Sequence, residues 1–345
     1  MSKVEERTAD AASDPVARQR RRRDLMRRLR LAGLAAVVLT TVAVVVVTVV
    51  DVAPPSKDDL IREAGLIGKS ELRIGVKDDQ PGIALRDEKT GAYSGFDIDI
   101  AYMIAAELDF TREQVRFYPI ESKDRARMQA RDGDGFVTVD LVVASYSITA
   151  ERRAMPDVGF SAPYLRTAQS VLTRRDHPTV QSLGDLRGEK VCSLTTSTSE
   201  QLAERSGVQA YTKNKISDCV AGLRRGDFDA VTTDAAILAG FAHLYHNELR
   251  MHALGVDADE RWGINVGTNS ALRDLVNLAL YHSKYDPRDD RWEEAFRTNL
   301  LPEERDSLPQ QVAIDEQPPV DKVRIREWPW RMRALARPGA EAATW

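Results

Sequence analysis

The spacing of hydrophobic residues divides most of the chain into strand-like and helix-like segments that follow each other in two rounds. Strands are predicted where apolar and β-branched residues alternate or run together, at 72–76, 115–118, 139–143, 189–194, 229–233 and 249–253. Helices are predicted where apolar residues recur every three or four positions, at 97–108, 124–131, 199–205, 217–225, 235–245, 272–284 and 291–300. Asp97 is the expected N-cap of the first of these. Because strands that alternate with helices are typical of parallel sheets, the pattern predicts an α/β protein with two parallel-sheet lobes.

The same pattern divides the chain into parts. They are a basic tail (1–30), a transmembrane anchor (31–50), a linker (51–69), lobe 1 (70–167 and 260–301), lobe 2 (168–259) and an irregular C-terminal tail (302–345). Extended segments at 169–173 and 262–266 would carry the chain between the lobes and form a two-segment hinge. The pattern assigns no function to three tryptophans of the C-terminal tail, Trp328, Trp330 and Trp345.

The predicted anchor is a run of 20 residues at 31–50 that contains no charge. A helix of that length crosses the hydrocarbon core of a bilayer. Residues 1–30 carry ten basic and five acidic residues, so the positive-inside rule keeps them in the cytoplasm and places the chain after Asp51 outside. A cleaved signal peptide is the alternative, but its apolar region is shorter and ends in a small-residue cleavage site. We therefore predict a single-pass protein of the cell membrane whose binding domain is extracytoplasmic.

Composition and charge narrow the class of protein. Hydrophobic residues make up 43% of the chain and charged residues 30%, as in ordinary globular proteins. The chain carries a net charge of −4 and residues 1–30 carry +5, so the remainder carries −9. A nucleic-acid-binding domain would hold its basic excess on the folded part, so we expect no nucleic-acid partner.

Two cysteines, Cys192 and Cys219, lie in the part predicted to be exported. Outside the cytoplasm an even number of cysteines indicates a disulfide. A bond that closes a loop of this length stabilises a domain by roughly 3–4 kcal/mol in the chain-entropy treatment. The alternative is a pair of buried free thiols.

Polar side chains follow the predicted strands at the end where an open α/β sheet binds its ligand. They include Lys77, Gln80, Ser145, Ser147, Arg152, Thr195, Thr198 and Asp234. Arginine binds a carboxylate through two hydrogen bonds, and an aspartate can bind an ammonium group. Each residue alone could be a solvated charge, a turn residue or a helix cap, but their joint placement predicts a site for a zwitterionic amino acid.

Several motifs carry a family resemblance. They are KDDQPG at 77–82, GFDIDI at 95–100, SKDR at 122–125, ASYSIT at 144–149 with Arg152, FSAPY at 160–164, DLRG at 185–188, VCS at 191–193 and DAVTTD at 229–234. The motifs occur in this order over about residues 70–300. Through them the chain resembles the family 3 bacterial extracellular solute-binding proteins, the polar amino-acid receptors of ABC importers. It is most similar to their glutamate/glutamine branch. The resemblance implies a periplasmic-binding-protein type II fold whose two lobes close on a ligand, and a lobe 2 disulfide between the two cysteines.

The resemblance also implies roles for individual residues. Arg152 would bind the α-carboxylate with help from Ser147 and the backbone of 195–198, and Asp234 and the Ser145 carbonyl would bind the α-ammonium group. Arg125, together with Lys77, would pair with the side-chain carboxylate of an acidic ligand. Thr196 stands where the family usually has glycine, which adds bulk beside the ligand.

These observations predict a membrane-anchored receptor that binds glutamate, or else glutamine, aspartate or asparagine, and delivers it to the permease and ATPase of an ABC importer. The alternative is an ectodomain that senses an amino acid and signals through a partner. We expect no enzyme activity, no cofactor and no metal. His243 and His246 lack a third ligand nearby, and the acidic turn at 132–135 lacks the glutamate that a calcium loop requires.

Overall fold

The computed structural model describes residues 15–52, 54–254, 260–303 and 311–326. The helices are α1 Pro15–Val52, α2 Lys57–Glu63, α3 Phe96–Glu107, α4 Ala150–Arg153, α5 Thr198–Arg205, α6 Ile216–Arg225, α7 Ala235–Leu244, α8 Ser270–Tyr285 and α9 Arg291–Asn299. The strands are β1 Leu72–Val76, β2 Asp79–Gln80, β3 Ala84–Arg86, β4 Tyr93–Ser94, β5 Val115–Pro119, β6 Gln129–Asp132, β7 Gly135–Thr138, β8 Leu141–Val142, β9 Phe160–Thr167, β10 Gln169–Arg174, β11 Val191–Leu194, β12 Ala210–Lys213, β13 Ala230–Asp234, β14 Leu249–Ala253 and β15 Glu260–Asn265.

Two five-stranded sheets form the centres of the two lobes. Sheet 1, in lobe 1, has the strand order β5-β1-β8-β15-β9, and sheet 2, in lobe 2, has the order β12-β11-β13-β10-β14. Three neighbouring strands of each sheet are parallel, and the other two join antiparallel. The prediction of an α/β fold is confirmed, but the two sheets that were predicted to be parallel are mixed. Hydrophobic patterns identify strands and carry no information about their direction.

The chain passes between the sheets next to the predicted crossing segments at 169–173 and 262–266, which themselves lie largely in strands β10 and β15. Strand β9 belongs to sheet 1 and continues through Ala168 into β10 of sheet 2, and the return runs from β14 to β15. The residues between β14 and β15, at 255–259, lie outside the described residues. The predicted boundaries of the two lobes stay a prediction.

The helix predicted at 124–131 is wrong. A short helical turn at Ser122–Asp124 leads instead into a hairpin of β6 and β7. Met128 has a φ of +53°, a left-handed backbone conformation that ends any helix at this point. The acidic turn at 132–135 connects the two hairpin strands, as its turn residues predicted.

Part of the predicted linker at 51–69 is folded, because residues 57–63 form α2. Ser56 and Asp59 form a capping box at the start of this helix, and Leu60 is buried in the main hydrophobic core. The segment that follows is fixed by the side chain of Asn269, whose Nδ2 donates to Ala64 O at 3.1 Å. A helix thus occupies part of the segment predicted to be a linker.

Helix α1 contains the predicted anchor at 31–50, and the side chains of 45–53 lie outside the described residues. Among the residues that the structure does describe, no helix combines the length and apolar character needed to cross a membrane. This finding gives the predicted anchor no support.

The described part of the C-terminal tail after residue 303 has no helix or strand, yet it packs against the domain. Thr167 Oγ1 donates to Val312 O at 2.7 Å, and Gln317 Nε2 donates to Leu280 O at 2.9 Å. Val312 and Gln317 are buried. The three tryptophans of the tail lie outside the described residues.

The predicted disulfide is present. Cys192 in β11 and Cys219 in α6 are bonded, and both are fully buried. The bond joins sheet 2 to the helix that covers it.

Candidate functional site

The predicted binding residues meet in a cleft between lobe 1 and lobe 2. The cleft is lined by Gln80, Arg125, Ser145, Ser147, Arg152, Leu194, Ser197, Thr198, Thr233, Asp234 and Ile237. Seven of the nine residues predicted to bind ligand are in this lining, and the other two are Lys77 and Thr195. The enclosed space measures only about 10 Å³, about what a single water molecule requires. An amino acid therefore needs the lobes to separate before it enters.

A larger cavity of about 350 Å³ lies in lobe 1, against residues 126–128 and 266–269. Its charged lining includes Lys69 and Asp140, whose side chains already form an ion pair. It contains none of the predicted binding residues. We therefore take the smaller cleft, with its buried cations, as the candidate site.

Arg152 lies in α4, a single helical turn whose N-cap is Thr149. Thr149 Oγ1 accepts a hydrogen bond from Arg152 N at 3.2 Å, which fixes the start of the turn. The guanidinium group donates to Ser147 O at 2.8 Å in its own lobe and to Thr196 O at 3.0 Å in lobe 2. Arg152 is thus a buried cation that connects the two sides of the cleft.

Arg125 follows the helical turn at Ser122–Asp124 and points towards the end of β8. Its Nη1 donates to Ala144 O at 3.1 Å and to Ser145 O at 2.9 Å, and its Nε donates to Ser122 O at 3.2 Å. The side chain is buried. Backbone carbonyls on both sides therefore hold the second cation in place.

Both guanidinium groups lie over the ring of Tyr146, with Cζ of Arg125 at 4.5 Å and Cζ of Arg152 at 4.8 Å from its centroid. Among the described residues, their side-chain hydrogen bonds all go to backbone carbonyls, and no ion pair with a carboxylate is formed. Burial lowers the pKa of Arg125 to about 9, with the charge of Arg152 as the second cause. Burial also lowers the pKa of Arg152. Because a carboxylate would stabilise both charges, this part of the cleft is suited to an anionic group.

Asp234 ends β13 and occupies the N-cap position of α7, yet its side chain accepts no hydrogen bond from that helix. Its Oδ2 instead accepts a hydrogen bond of 2.6 Å from Trp262 Nε1 of lobe 1. Burial raises the pKa of Asp234 to about 7, and the negative charge of Glu260 is the second cause. The structure therefore excludes the alternative of a simple helix cap and leaves a carboxyl group in the cleft.

Ser145 has a φ of +46°. Its N–H donates to Asp97 Oδ2 at 2.9 Å, and its hydroxyl donates to Gln80 Oε1 at 2.8 Å. Its carbonyl, which was predicted to bind an ammonium group, already accepts a hydrogen bond from Arg125. Gln80 Nε2 is buried and has no hydrogen-bond partner among the described residues, so this donor remains available to a ligand.

Lys77 and Thr195 lie behind the lining. Lys77 Nζ donates to Ser122 Oγ at 2.8 Å, and burial lowers its pKa to about 7, with the charge of Arg125 as the second cause. Thr195 N donates to Lys213 O at 3.0 Å, which extends the pairing of β11 with β12. The predicted contact of Thr195 N–H with a ligand would have to replace this bond.

Other backbone N–H groups of the segment at 195–198 also form hydrogen bonds within the protein. Thr196 N donates to Glu200 Oε2 at 2.7 Å, and Ser197 N donates to Leu194 O at 3.3 Å. Thr198 faces lobe 1, and its Oγ1 lies 3.5 Å from Ser147 Oγ.

Sequence reasoning missed three residues that shape the cleft. Tyr146 and Trp262 were assigned no role, and Asp97 was predicted to be a helix cap. The N-cap of α3 is Gly95, and the buried Asp97 carboxylate accepts hydrogen bonds from Ser145 N and Tyr164 OH. Burial raises the pKa of Asp97 to about 7. The aromatic residue beside the predicted serines was the one available signal, because arginines commonly pack on aromatic rings.

The family model of bacterial extracellular solute-binding proteins, family 3, matches residues 72–296. The chain belongs to this family. Glutamate-binding protein GluB of Corynebacterium glutamicum is 33% identical over 226 residues, which are 62% of this chain and 74% of GluB. ABC transporter glutamine-binding protein GlnH of Bacillus subtilis is 32% identical over 247 residues, which are 70% of this chain and 85% of GlnH.

Solved structures agree with this assignment. An ancestral arginine-binding protein bound to glutamine has a TM-score of 0.59 and 29% identity, over 67% of this chain and 98% of its own. The predicted family and the periplasmic-binding-protein type II fold are confirmed.

Thr196 is the position where the resemblance to family 3 implied glycine, and its φ of +59° provides the reason. This conformation is unfavourable for a β-branched residue. We expect Thr196→Gly to raise the free energy of unfolding by about 1 kcal/mol, since the relieved strain exceeds the entropy cost of glycine. Urea unfolding of the full chain in detergent measures this. Thr195→Gly, at a position without positive φ, should lower the stability, and a Thr196→Gly variant that is less stable than wild type would contradict the account.

The raised pKa of Asp234 predicts a pH dependence of stability. Between about pH 4 and pH 7 the folded protein holds a proton on this carboxyl that the unfolded chain has lost, so the free energy of unfolding falls as pH rises. Asp234→Asn should make this decline shallower. Unfolding titrations of the full chain at several pH values test it, with Asp176→Asn at an exposed position of lobe 2 as the control. Equal slopes for wild type and Asp234→Asn would show that Asp234 does not hold the proton.

Proposed function

We propose that this family 3 protein binds an acidic amino acid, with L-glutamate as the best candidate, between its two lobes and delivers it to an ABC importer. The observation that carries the proposal is the pair of buried guanidinium groups on one aromatic ring, held by backbone carbonyls and opposite a buried carboxyl group. Two cations and one anion match a ligand that has two carboxylates and one ammonium group.

In this proposal the α-carboxylate binds Arg152 and takes the place of the Thr196 carbonyl. The bidentate geometry of the guanidinium group favours such an exchange, because a carboxylate is a stronger acceptor than a carbonyl. The α-ammonium group binds Asp234, whose carboxyl group then ionises beside a positive charge. Ser147 and Thr198 supply hydroxyl groups on the two sides of the α-carboxylate.

The ligand side chain points towards Arg125 and Gln80. Arg125 pairs with the side-chain carboxylate, and the free Nε2 of Gln80 donates a second hydrogen bond to it. Lys77, behind Ser122, adds positive charge without direct contact when it is protonated. A glutamine side chain would leave Arg125 without an anionic partner, which costs binding free energy for a buried charge.

The relatives leave the choice between glutamate and glutamine open. GluB is named for binding glutamate and GlnH for binding glutamine, and their identities to this chain are nearly equal. The preference for glutamate therefore depends on the two guanidinium groups. Aspartate and asparagine are shorter, so their side chains would reach Arg125 less readily.

We also propose that the permease and ATPase of the importer are the partners, and that the ligand is released unchanged. GlnH, a relative named as part of an ABC transporter, supports the transport role. Mass spectrometry of ligand recovered after binding would detect any turnover.

Replacement of Arg152 tests the binding site most directly. Arg152→Ala leaves a buried carboxylate without its charge-assisted partner, at a cost of roughly 3–5 kcal/mol. We expect affinity for glutamate to fall at least a hundredfold when it is measured by calorimetry on the full chain in detergent. Arg153→Ala, in the same helix with an exposed side chain, is the matched control and should bind as wild type does. Wild-type affinity in Arg152→Ala would exclude the proposed site.

The wild-type chain could instead prefer glutamine to glutamate and lose glutamine binding in Arg152→Ala. That result would support the proposed receptor function and exclude the proposed role of Arg125. Binding of neither amino acid would remove the proposed ligand class.

We propose further that residues 31–50 anchor the chain and that the binding domain is extracytoplasmic. The supporting features are the uncharged run of 20 residues, the basic residues before it and the continuous helix α1. The full chain is expected to stay in the membrane fraction after an alkaline carbonate wash, whereas a variant without residues 31–50 is expected to be soluble. Release of the full chain by the wash would exclude the anchor.

A further inference from the structure

The loop at 78–82 of lobe 1, which we name the latch loop, contacts lobe 2 outside the lining of the cleft through Asp78, Asp79 and Pro81. Asp78 Oδ2 lies 2.6 Å from Lys215 Nζ, and Asp79 Oδ2 accepts a hydrogen bond of 3.0 Å from Ser217 N. Neither aspartate is in the lining of the cleft. The two lobes are therefore held together by contacts that a ligand does not make.

The latch loop binds lobe 2 at the start of α6. Ser217 is the second residue of α6, where backbone N–H groups have no partner within the helix. The residue at the N-cap position is Lys215, whose side chain provides no cap. Asp79 of lobe 1 supplies the missing acceptor, and its negative charge suits the positive end of the helix dipole.

A second helix of lobe 2, α7, also contacts the latch loop. Gly240 lies inside α7, where glycine costs helix stability relative to alanine. The carbonyl oxygen of Pro81 stands 2.2 Å from the point that a Cβ of residue 240 would occupy. A side chain at 240 would therefore prevent the approach of Pro81, and its Cβ would also lie 3.0 Å from Glu303 Oε1. The close approach of Pro81 explains a glycine at this position.

We propose that three residues of the latch loop, Asp78, Asp79 and Pro81, hold the lobes closed through their contacts with Lys215, Ser217 and Gly240. These contacts set how long a ligand stays bound, although the three residues do not touch the ligand. The proposal rests on the proposed function in one respect, namely that a ligand binds between the lobes. Gln80 belongs to the same loop and lines the cleft. One short segment therefore contacts both the cleft and lobe 2, so that binding of a ligand and closure of the lobes favour each other.

Asp79 and Gly240 are positioning residues, and their replacement should affect every ligand by the same factor. Opening of the lobes breaks latch contacts whichever amino acid is bound. The dissociation rate should therefore rise, while the association rate and the order of preference among amino acids stay unchanged. The ion pair between Asp78 and Lys215 is partly exposed and should contribute less, and less still at high salt.

Gly240→Ala in the full chain is the first test. The added methyl group improves the helix but collides with Pro81 O when the lobes close. We expect affinity for glutamate to fall at least about tenfold through a faster dissociation rate, with no loss in the free energy of unfolding. Unchanged glutamate affinity, or a loss of affinity that is matched by a loss of stability, would overturn the latch.

A second test needs no ligand. Asp79→Ala should speed hydrogen exchange at the Ser217 amide in the full chain, while the amides of Val220 and Leu223 further along α6 keep their wild-type rates. Lys215→Ala should weaken glutamate binding slightly at low salt, and Lys213→Ala, an exposed neighbour, serves as its control. An unchanged exchange rate at Ser217 would refute the latch. Faster exchange at Ser217 in a chain that binds no glutamate would support the latch and refute the proposed ligand.

Discussion

The burial of two guanidinium groups on the ring of Tyr146 is the constraint on which the rest of the site depends. A buried cation without an anionic partner is costly, and here backbone carbonyls supply the compensation. Ala144, Ser145 and Ser147 present those carbonyls because the chain turns sharply after β8, with Ser145 in a left-handed conformation. The fold therefore places two buried cations beyond the end of a strand, in the part of an α/β sheet that is suited to ligand binding.

Buried carboxyl groups complete this arrangement. Asp97 accepts the Ser145 N–H and so supports the turn, while Asp234 stands in the cleft and is held by Trp262 from the other lobe. The pKa values of both are raised to about 7 by burial, so neither fully neutralises the guanidinium groups near neutral pH. The ligand that we propose would bring both negative charge and a positive group to this arrangement. The latch loop adds contacts at the edge of the cleft that are independent of this charge balance.

The sequence predicted the parts of the site that depend on local pattern and on topology. Asp234 ends β13, and Ser147 and Arg152 lie in the segment that leads on from β8, so their place at the edge of the sheets follows from the topology. The left-handed conformations of Met128 and Ser145 could not be predicted, since neither residue type favours them, and the first of them turned a predicted helix into a hairpin. The contact of Trp262 with Asp234 joins residues from different lobes, which no local pattern reveals. The direction of the crossing strands was missed for the same reason.

The central claim is that Arg152 and Arg125 each bind one carboxylate of an acidic amino acid. A crystal structure of the chain with L-glutamate tests it most directly. The account predicts the α-carboxylate within hydrogen-bond distance, about 3 Å, of the Arg152 guanidinium group and the side-chain carboxylate at the same distance from Arg125. A bound glutamate whose side chain points away from Arg125, with that guanidinium group still bonded only to backbone carbonyls, would contradict it.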